Sequence, residues 1–286
     1  LRGLSGQMIA PKKPPPSKRT GAFLFNLVAN YKDLIMTQDF EPAEPAMKAG
    51  PVDSFSPEER RGLYRAINTR RDIRVFQNDP VPAPVLARII RAAHSGPSVG
   101  FMQPWDFILV SKAEVRCRVK DLFDRERLAA AQFFDEPRRS QYLSLKLEGI
   151  MEAPVNLCVT CDPTRAEEVL GRNSMPETDV YSTCCAVQNL WLAARSEGVG
   201  VGWVSILKRP QLRQILEIPP HIIPVAYLCL GYPLEFPKDP VLQSVGWRDR
   251  LPLANLVHYN GWTGPTEPDA WQELRDALAV ADDNSD

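Results

Sequence analysis

Short β-like runs alternate with amphipathic helical stretches along most of this 286-residue chain, and that alternation predicts an α/β or α+β domain. Three observations carry the prediction. Ser56-Pro57-Glu58-Glu59 is a capped helix start, with serine at the N-cap, proline at N1 and glutamate at N3. Apolar, β-branched runs recur at residues 106–110, 155–160 and 222–230. Over Ser182–Glu197, the residues Val187, Leu190, Trp191 and Ala194 fall at the spacing of one helix face.

Taken in order, residues 1–50 read as a flexible extension. Pro11-Lys12-Lys13-Pro14-Pro15-Pro16 with Lys18 and Arg19 is basic and proline-rich, which favours an extended, solvated backbone. Ala22–Met36 is more apolar and reads either as a docking helix or as part of a targeting sequence. The chain begins at Leu1, and Met8 and Met36 are both candidate start residues. A domain is expected over residues 51–263. In it, Leu63 and Ile67 share a face of the first helix, and Val85, Leu86, Ile89, Ile90 and Ala93 mark a second. Asp106–Val110 reads as a strand, Glu114–Gln132 as a long charged helix and Val155–Thr160 as another strand. Gly198 ends the helix over Ser182–Glu197, and the strands Val199–Ile206 and Ile222–Leu230 follow. Residues 133–150 place apolar patches in a polar setting and read either as a lid or as an interface helix. Residues 264–286 form an acidic tail, with a modest helical stripe at Trp271, Leu274 and Leu278 before a disordered end.

Composition narrows the functional classes. A net charge of -1 leaves no global electrostatic case for nucleic acid. No apolar run approaches the ~20 residues of a membrane span. The six cysteines are scattered without a disulfide pattern, which points to a reducing, cytoplasmic compartment. Cys158 and Cys161 have zinc-like spacing but no second pair, and His94, His221 and His258 are isolated, so no metal site is expected.

Three stretches are candidates for chemistry. Arg70-Arg71-Asp72-Ile73-Arg74 packs three guanidinium groups into five residues, which wants an anion, with phosphate the leading choice. A solvated patch paired with Asp72 and Asp79 is the plainer reading. Gly96 to Trp105 offers small residues for close backbone approach, hydrogen-bonding Ser98 and Gln103, and a flat Trp105. On composition alone, a helix-to-strand turn closed by a core tryptophan is the favoured reading. Gly198-Val199-Gly200-Val201-Gly202-Trp203-Val204-Ser205 alternates glycines that weaken a strand unless something lies against it, and a planar ligand is one such object.

Together these stretches resemble the flavin-dependent nitroreductase family: an Arg-Arg-x-x-Arg run, a Pro-Ser…Gln-Pro-Trp turn and a glycine-rich strand. Phe101 stands where the family usually has Asn, and Asp72 where it often has Ser or His. Both departures match its BluB-type 5,6-dimethylbenzimidazole synthase branch. So do Ser98–Trp105, Ser144–Ile150, Cys158–Asp162, Val187–Arg195, Gly200–Ile206 and Arg250–Leu253, and the likeness spans roughly residues 55–262. The resemblance implies an α+β nitroreductase-like fold with a mixed sheet flanked by helices, in a domain-swapped-type homodimer. It implies FMN as the ligand, with reduced FMN acting as substrate and dioxygen as co-substrate. No nicotinamide motif is visible, so NAD(P)H is expected to act indirectly, through a separate FMN reductase. Carried over by position, Arg70, Arg71, Asp72, Ile73, Arg74, Ser98, Val99, Gly100 and Arg250 are expected to bind flavin, and Asp72 and Ser205 to be catalytic. The alternatives are an NAD(P)H-dependent FMN nitro or quinone reductase, which Asp72 and Phe101 disfavour, and a non-enzymatic flavin-binding protein. Corrinoid reduction ranks below both.

Overall fold

Ser56 starts the first helix as its neighbours dictate. In this computed structural model, which describes residues 54–258, 260–262 and 272–281, Ser56 Oγ accepts the Glu59 N–H at 3.3 Å. Glu59 Oε2 accepts the Ser56 N–H in return at 2.8 Å. Both ends of this capping box are therefore closed, and helix α1 runs over Pro57–Thr69. The expectations for residues 1–50, and those for all but the Gln272–Ala281 helix of the acidic tail, lie outside the described residues.

Helix α2 (Ala83–His94) leads through a short 3₁₀ turn (Val99–Phe101) to strand β1 (Trp105–Leu109). Helices α3 (Ala113–Ala131) and α4 (Arg138–Ser144) precede β2 (Val155–Cys161). Then come α5 (Thr178–Ser196), β3 (Gly200–Trp203), α6 (Arg209–Ile215), β4 (Ile223–Gly231), α7 (Val241–Ser244), a second 3₁₀ turn (Leu253–Leu256) and α8 (Gln272–Ala281). The predicted strand after the glycines is shorter than expected, stopping at Trp203.

The sheet order is β1-β2-β4-β3, and every ladder is antiparallel. The mixed sheet expected from the resemblance is thus antiparallel in its four strands. Its parallel character comes from one bridge, which joins Asp72, outside those strands, to Val201 of β3.

Both faces of the sheet are covered, which explains the unbroken apolar run of β2. Its Leu157 and Val159 join Leu228, Leu230, Ile89, Leu190 and Trp191 in a core roofed by α2 and α5. Its Cys158 points to the other side, into a core with Tyr227, Cys229, Val119, Leu122 and Phe123 under α3. Burial pushes the Cys158 thiol up to about 12, so this zinc-spaced cysteine is a protonated packing group. All six cysteines are free.

The face of the first helix that carries Leu63 and Ile67 is not its buried face. Ala66 is its buried residue, and α1 meets α5 on that side. Leu63, Tyr64 and Ile67 are exposed, together with Phe55 just before the helix.

Candidate active site

The arginine run is a strand-like arm laid along the edge of the sheet. Arg70 ends α1 with an extended backbone. From there the Ile73 N–H donates to the Val201 carbonyl at 3.0 Å, alongside the Asp72–Val201 bridge. The arm therefore covers the edge that β3 would otherwise leave open.

This arrangement explains the alternate glycines. A Cβ at Gly200 would lie 2.7 Å from Ile73 Cγ1, and one at Gly202 would run into the Ile73 carbonyl oxygen. The object pressed against the glycine strand is the chain's own arm, where the sequence suggested a planar ligand. Close backbone approach was the right inference, and its partner was the neighbouring motif.

Each arginine of the arm is anchored differently. Arg70 lies over the Trp191 ring, 4.9 Å from its centroid. Arg71 donates from Nη1 to the carbonyls of Asn68 (2.7 Å) and Arg70 (2.9 Å), and from Nη2 to that of Lys238. Arg74 Nη2 donates to the Trp203 carbonyl at 2.8 Å and pairs with Asp72 Oδ1 at 2.9 Å. Arg71 Nε and Arg74 Nη1 are buried without a hydrogen-bond partner among the described residues. Burial lowers the pKa of Arg71, and repulsion from Arg70 and Arg250 adds to the effect against a smaller pull from Asp239. Burial likewise lowers that of Arg195, with Arg65 and Arg71 adding repulsion. Crowded cations with unspent donors favour an anionic ligand.

Asp72 sits where the arm meets the strand. Its Oδ1 accepts the Trp203 N–H at 2.9 Å as well as the Arg74 pair, and Oδ2 has no hydrogen-bond partner among the described residues. The side chain is about half exposed. Ser205 lies two residues beyond Trp203, is exposed, and has no hydrogen-bond partner among the described residues.

A cavity of about 530 Å³ opens on the arm. Arg70 through Arg74 form one wall, and Arg250 reaches it from the far end of the chain. The other walls are Leu145–Leu147 and a segment containing Leu234, Glu235, Val241 and Leu242. Arg70 through Arg74 and Arg250 were expected as binding residues, whereas Leu145–Leu147, Leu234, Glu235, Val241 and Leu242 did not stand out in the sequence. The available signal was the Leu-Lys-Leu alternation at 145–147.

Helix α4 supports the far wall. Phe134, Tyr142 and Trp247 form an aromatic cluster with ring centroids 5.1–6.3 Å apart. Arg138 lies over Trp247 at 3.7 Å, and Gln141 Nε2 donates to the Val245 carbonyl at 2.8 Å. Residues 133–150, weighed as a lid or an interface helix, thus brace the wall of this chain's own cavity.

The Pro97–Trp105 turn lies elsewhere. Ser98, Val99 and Gly100 do not line the cavity, and neither does Ser205. Ser98 Oγ accepts the Gln103 N–H at 3.0 Å, and the Val99 N–H donates to Ser182 Oγ at 3.0 Å. Gly100 has φ +51°, and a Cβ there would meet Val169 and the Leu170 backbone. Trp105 is a core residue whose Nε1 donates to His94 Nδ1 at 3.1 Å, so the closing-tryptophan reading holds. Phe101 is 82% exposed, with φ 55°.

With this geometry in view, the likeness to known proteins is specific. The nitroreductase family model matches residues 67–232. The chain is 42% identical over 207 residues to the 5,6-dimethylbenzimidazole synthase of Rhodospirillum rubrum, covering 72% of this chain and 97% of that one. It is 39% identical over 202 residues to the protein of the same name from Rhodobacter capsulatus, covering 70% and 97%. Among solved structures, an oxidized iodotyrosine deiodinase bound to FMN and 3-iodo-L-tyrosine shares the fold, with a TM-score of 0.56 at 20% identity. That match covers 70% of this chain and 100% of the deiodinase.

Proposed function

This chain belongs to the nitroreductase family, and on that premise we propose that it is a 5,6-dimethylbenzimidazole synthase. Reduced FMN is the substrate. With dioxygen it is fragmented to 5,6-dimethylbenzimidazole, the lower ligand of vitamin B12, with release of erythrose 4-phosphate. The observation that carries the reading is the meeting of Arg70, Arg71, Asp72, Arg74 and Arg250 at one cavity, in a chain 42% identical to a protein of that name.

The residues present fit a phosphorylated flavin. Arg71 Nε and Arg74 Nη1 are buried donors awaiting an acceptor, and the repulsion among Arg70, Arg71 and Arg250 is relieved by a phosphate. Bound reduced flavin supplies the electrons for dioxygen. The chain supplies position and proton transfer. Asp72 is fixed through Oδ1 by Trp203 and Arg74, leaving Oδ2 to take a proton from the ribityl chain. A carboxylate stabilised by arginines is a weak base, so its effectiveness comes from placement. Ser205 steers the reacting ring by hydrogen bonding. Leu145, Leu147, Leu234, Val241 and Leu242 give the cavity an apolar lining that limits bulk water, which oxygen chemistry on a flavin requires.

Two copies complete the site. Ser98, Val99 and Gly100 reach the flavin from a second subunit, and the outward Phe55, Leu63, Tyr64 and Ile67 offer an apolar face for that subunit. Reduced FMN comes from a separate NAD(P)H-dependent flavin reductase in the cytoplasm, a setting that suits six free cysteines. No described helix is long and apolar enough to cross a membrane.

The test is to mix the full chain with chemically reduced FMN in air and follow both flavin and product by mass spectrometry. 5,6-Dimethylbenzimidazole should appear as flavin disappears. Sustained NAD(P)H-driven reduction of nitro compounds or quinones with the flavin recovered intact would make it a general reductase. Tight FMN binding without oxygen consumption would make it a flavin carrier.

A further inference from the structure

Lys146 shares the cavity with the arginine arm but is held there by a different device. Its neighbours Leu145 and Leu147 line the same cavity, Leu145 buried and Leu147 half-buried against the core. Two residues on, Glu148 is only 5% exposed. A carboxylate buried to that degree needs partners. Its Oε2 accepts the Ile150 N–H at 2.7 Å and its Oε1 accepts Lys146 Nζ at 3.2 Å, with Lys120 Nζ at 4.0 Å. Glu152 takes a second bond from Lys146 Nζ.

The chain that carries these carboxylates is itself pinned. Arg116 donates to the carbonyls of Ile150, Met151 and Ala153, and Asn156 Nδ2 donates to that of Ile150 at 3.1 Å. Tyr227 Oη closes the network by donating to Asn156 Oδ1 at 3.0 Å. A buried polar scaffold therefore fixes the position of the lysine head group. Burial alone disfavours the charged lysine, but the carboxylates of Glu152 and Glu148 outweigh it and hold its pKa above the ordinary value.

Donor counting applies to Lys146 as it does to the arginines. Arg71 places three of its five N–H groups, and Arg74 two, on the chain's own carbonyls and on Asp72. A lysine ammonium has three N–H groups. Glu148 and Glu152 take two of them. The third remains, on a permanently charged group at the wall of a cavity that already collects cations around one anion. The side chain is 44% exposed and lines the cavity.

We propose that Lys146 is an additional ligand-binding residue of this site, donating its third N–H to the phosphate of the bound flavin, with Glu148 and Glu152 positioning it. The inference rests on the flavin reading above. It assigns a role to the Ser144–Ile150 motif, which the arginine arm, Asp72 and Ser205 leave unexplained.

The experiment is a titration of the full chain with FMN and with riboflavin, which lacks the phosphate. K146M should weaken FMN about tenfold, the value of one charge-assisted hydrogen bond, and leave riboflavin within about twofold. K146R keeps the charge and the carboxylate pairing and should restore most of the FMN affinity. K146M leaves Glu148 as an uncompensated buried charge, so K146M/E148Q is compared with E148Q alone to remove any folding penalty. The proposal is overturned if K146M/E148Q binds FMN as tightly as E148Q. It is also overturned if riboflavin weakens as much as FMN, which would make the lysine a packing element. Failure of the unaltered chain to bind FMN would overturn the flavin reading and this inference together, whereas FMN binding that survives K146M overturns this inference alone.

Discussion

The arginine arm and the Ser98–Gly100 turn were both expected at one flavin site, yet the fold treats them in opposite ways. The arm lies open on a cavity, which Arg70 through Arg74 line with half-exposed Asp72 among them. The turn has no cavity in common with it, and its Ser98 and Val99 bonds go to Gln103 and Ser182 of its own chain. Motif spacing identifies which stretches bear chemistry. It does not say which of them a single chain brings together. On the proposed function a second copy supplies the missing half, and this is the point at which the comparison breaks most easily.

The largest effect is expected at Asp72. Asp72→Asn keeps an acceptor for the Trp203 N–H but removes the charge, so FMN binding should persist while 5,6-dimethylbenzimidazole formation falls by roughly 10²–10⁴-fold. Normal product formation would remove Asp72 from the chemistry. Gly100→Val should also abolish activity, because the φ of +51° and the contact with Val169 leave no room for a side chain. The two dead chains are then mixed. If arm and turn come from different subunits, mixed dimers carry one intact site, and about a quarter of the unaltered activity returns by random pairing. Mixtures that stay inactive would mean that the turn serves only the fold of its own chain.

Gly202→Ala comes next and acts on the arm alone. The added methyl group meets the Ile73 carbonyl, so the arm must move off β3. An overpacked contact of this kind costs about 1–3 kcal/mol, read as a lower melting temperature, and FMN affinity should fall with it. Unchanged FMN affinity in a destabilised variant would separate the arm's structural role from its binding role.

How far the sequence showed these two regions follows from the range of the forces involved. The α1 capping box, the doubly buried β2 and the α5 stripe depend on neighbours within a few residues, and each is where its pattern puts it. The glycine strand was legible as a site of close approach. Its partner was not, because the Asp72–Val201 bridge joins segments 129 residues apart and no local pattern records it. The outward Leu63 and Ile67 show a related limit, since they share a face of α1 as their spacing predicts but that face is exposed. A helical stripe shows that a face is apolar, not which molecule covers it. Lys146 was hidden because its role depends on a buried glutamate two residues away and on a cavity assembled from three distant stretches.

The smallest predicted effect belongs to Ser205, and it tests whether the end of the glycine strand takes part in chemistry or merely in folding. The residue is exposed, lies outside the regular strand and has no hydrogen-bond partner among the described residues. No described residue bonds its hydroxyl, so Ser205→Gly should change stability by no more than about 0.5 kcal/mol. FMN affinity should hold as well, because Ser205 does not line the cavity that holds the phosphate end. If the hydroxyl steers the reacting ring, product formation should still fall by about tenfold, the loss of one hydrogen bond made in the transition state. A variant with unchanged stability and binding but slowed product formation would place Ser205 with Asp72 at the β3 end of the arm. A fully active variant would confine the chemistry to Asp72 and leave the strand's end as a link between β3 and α6.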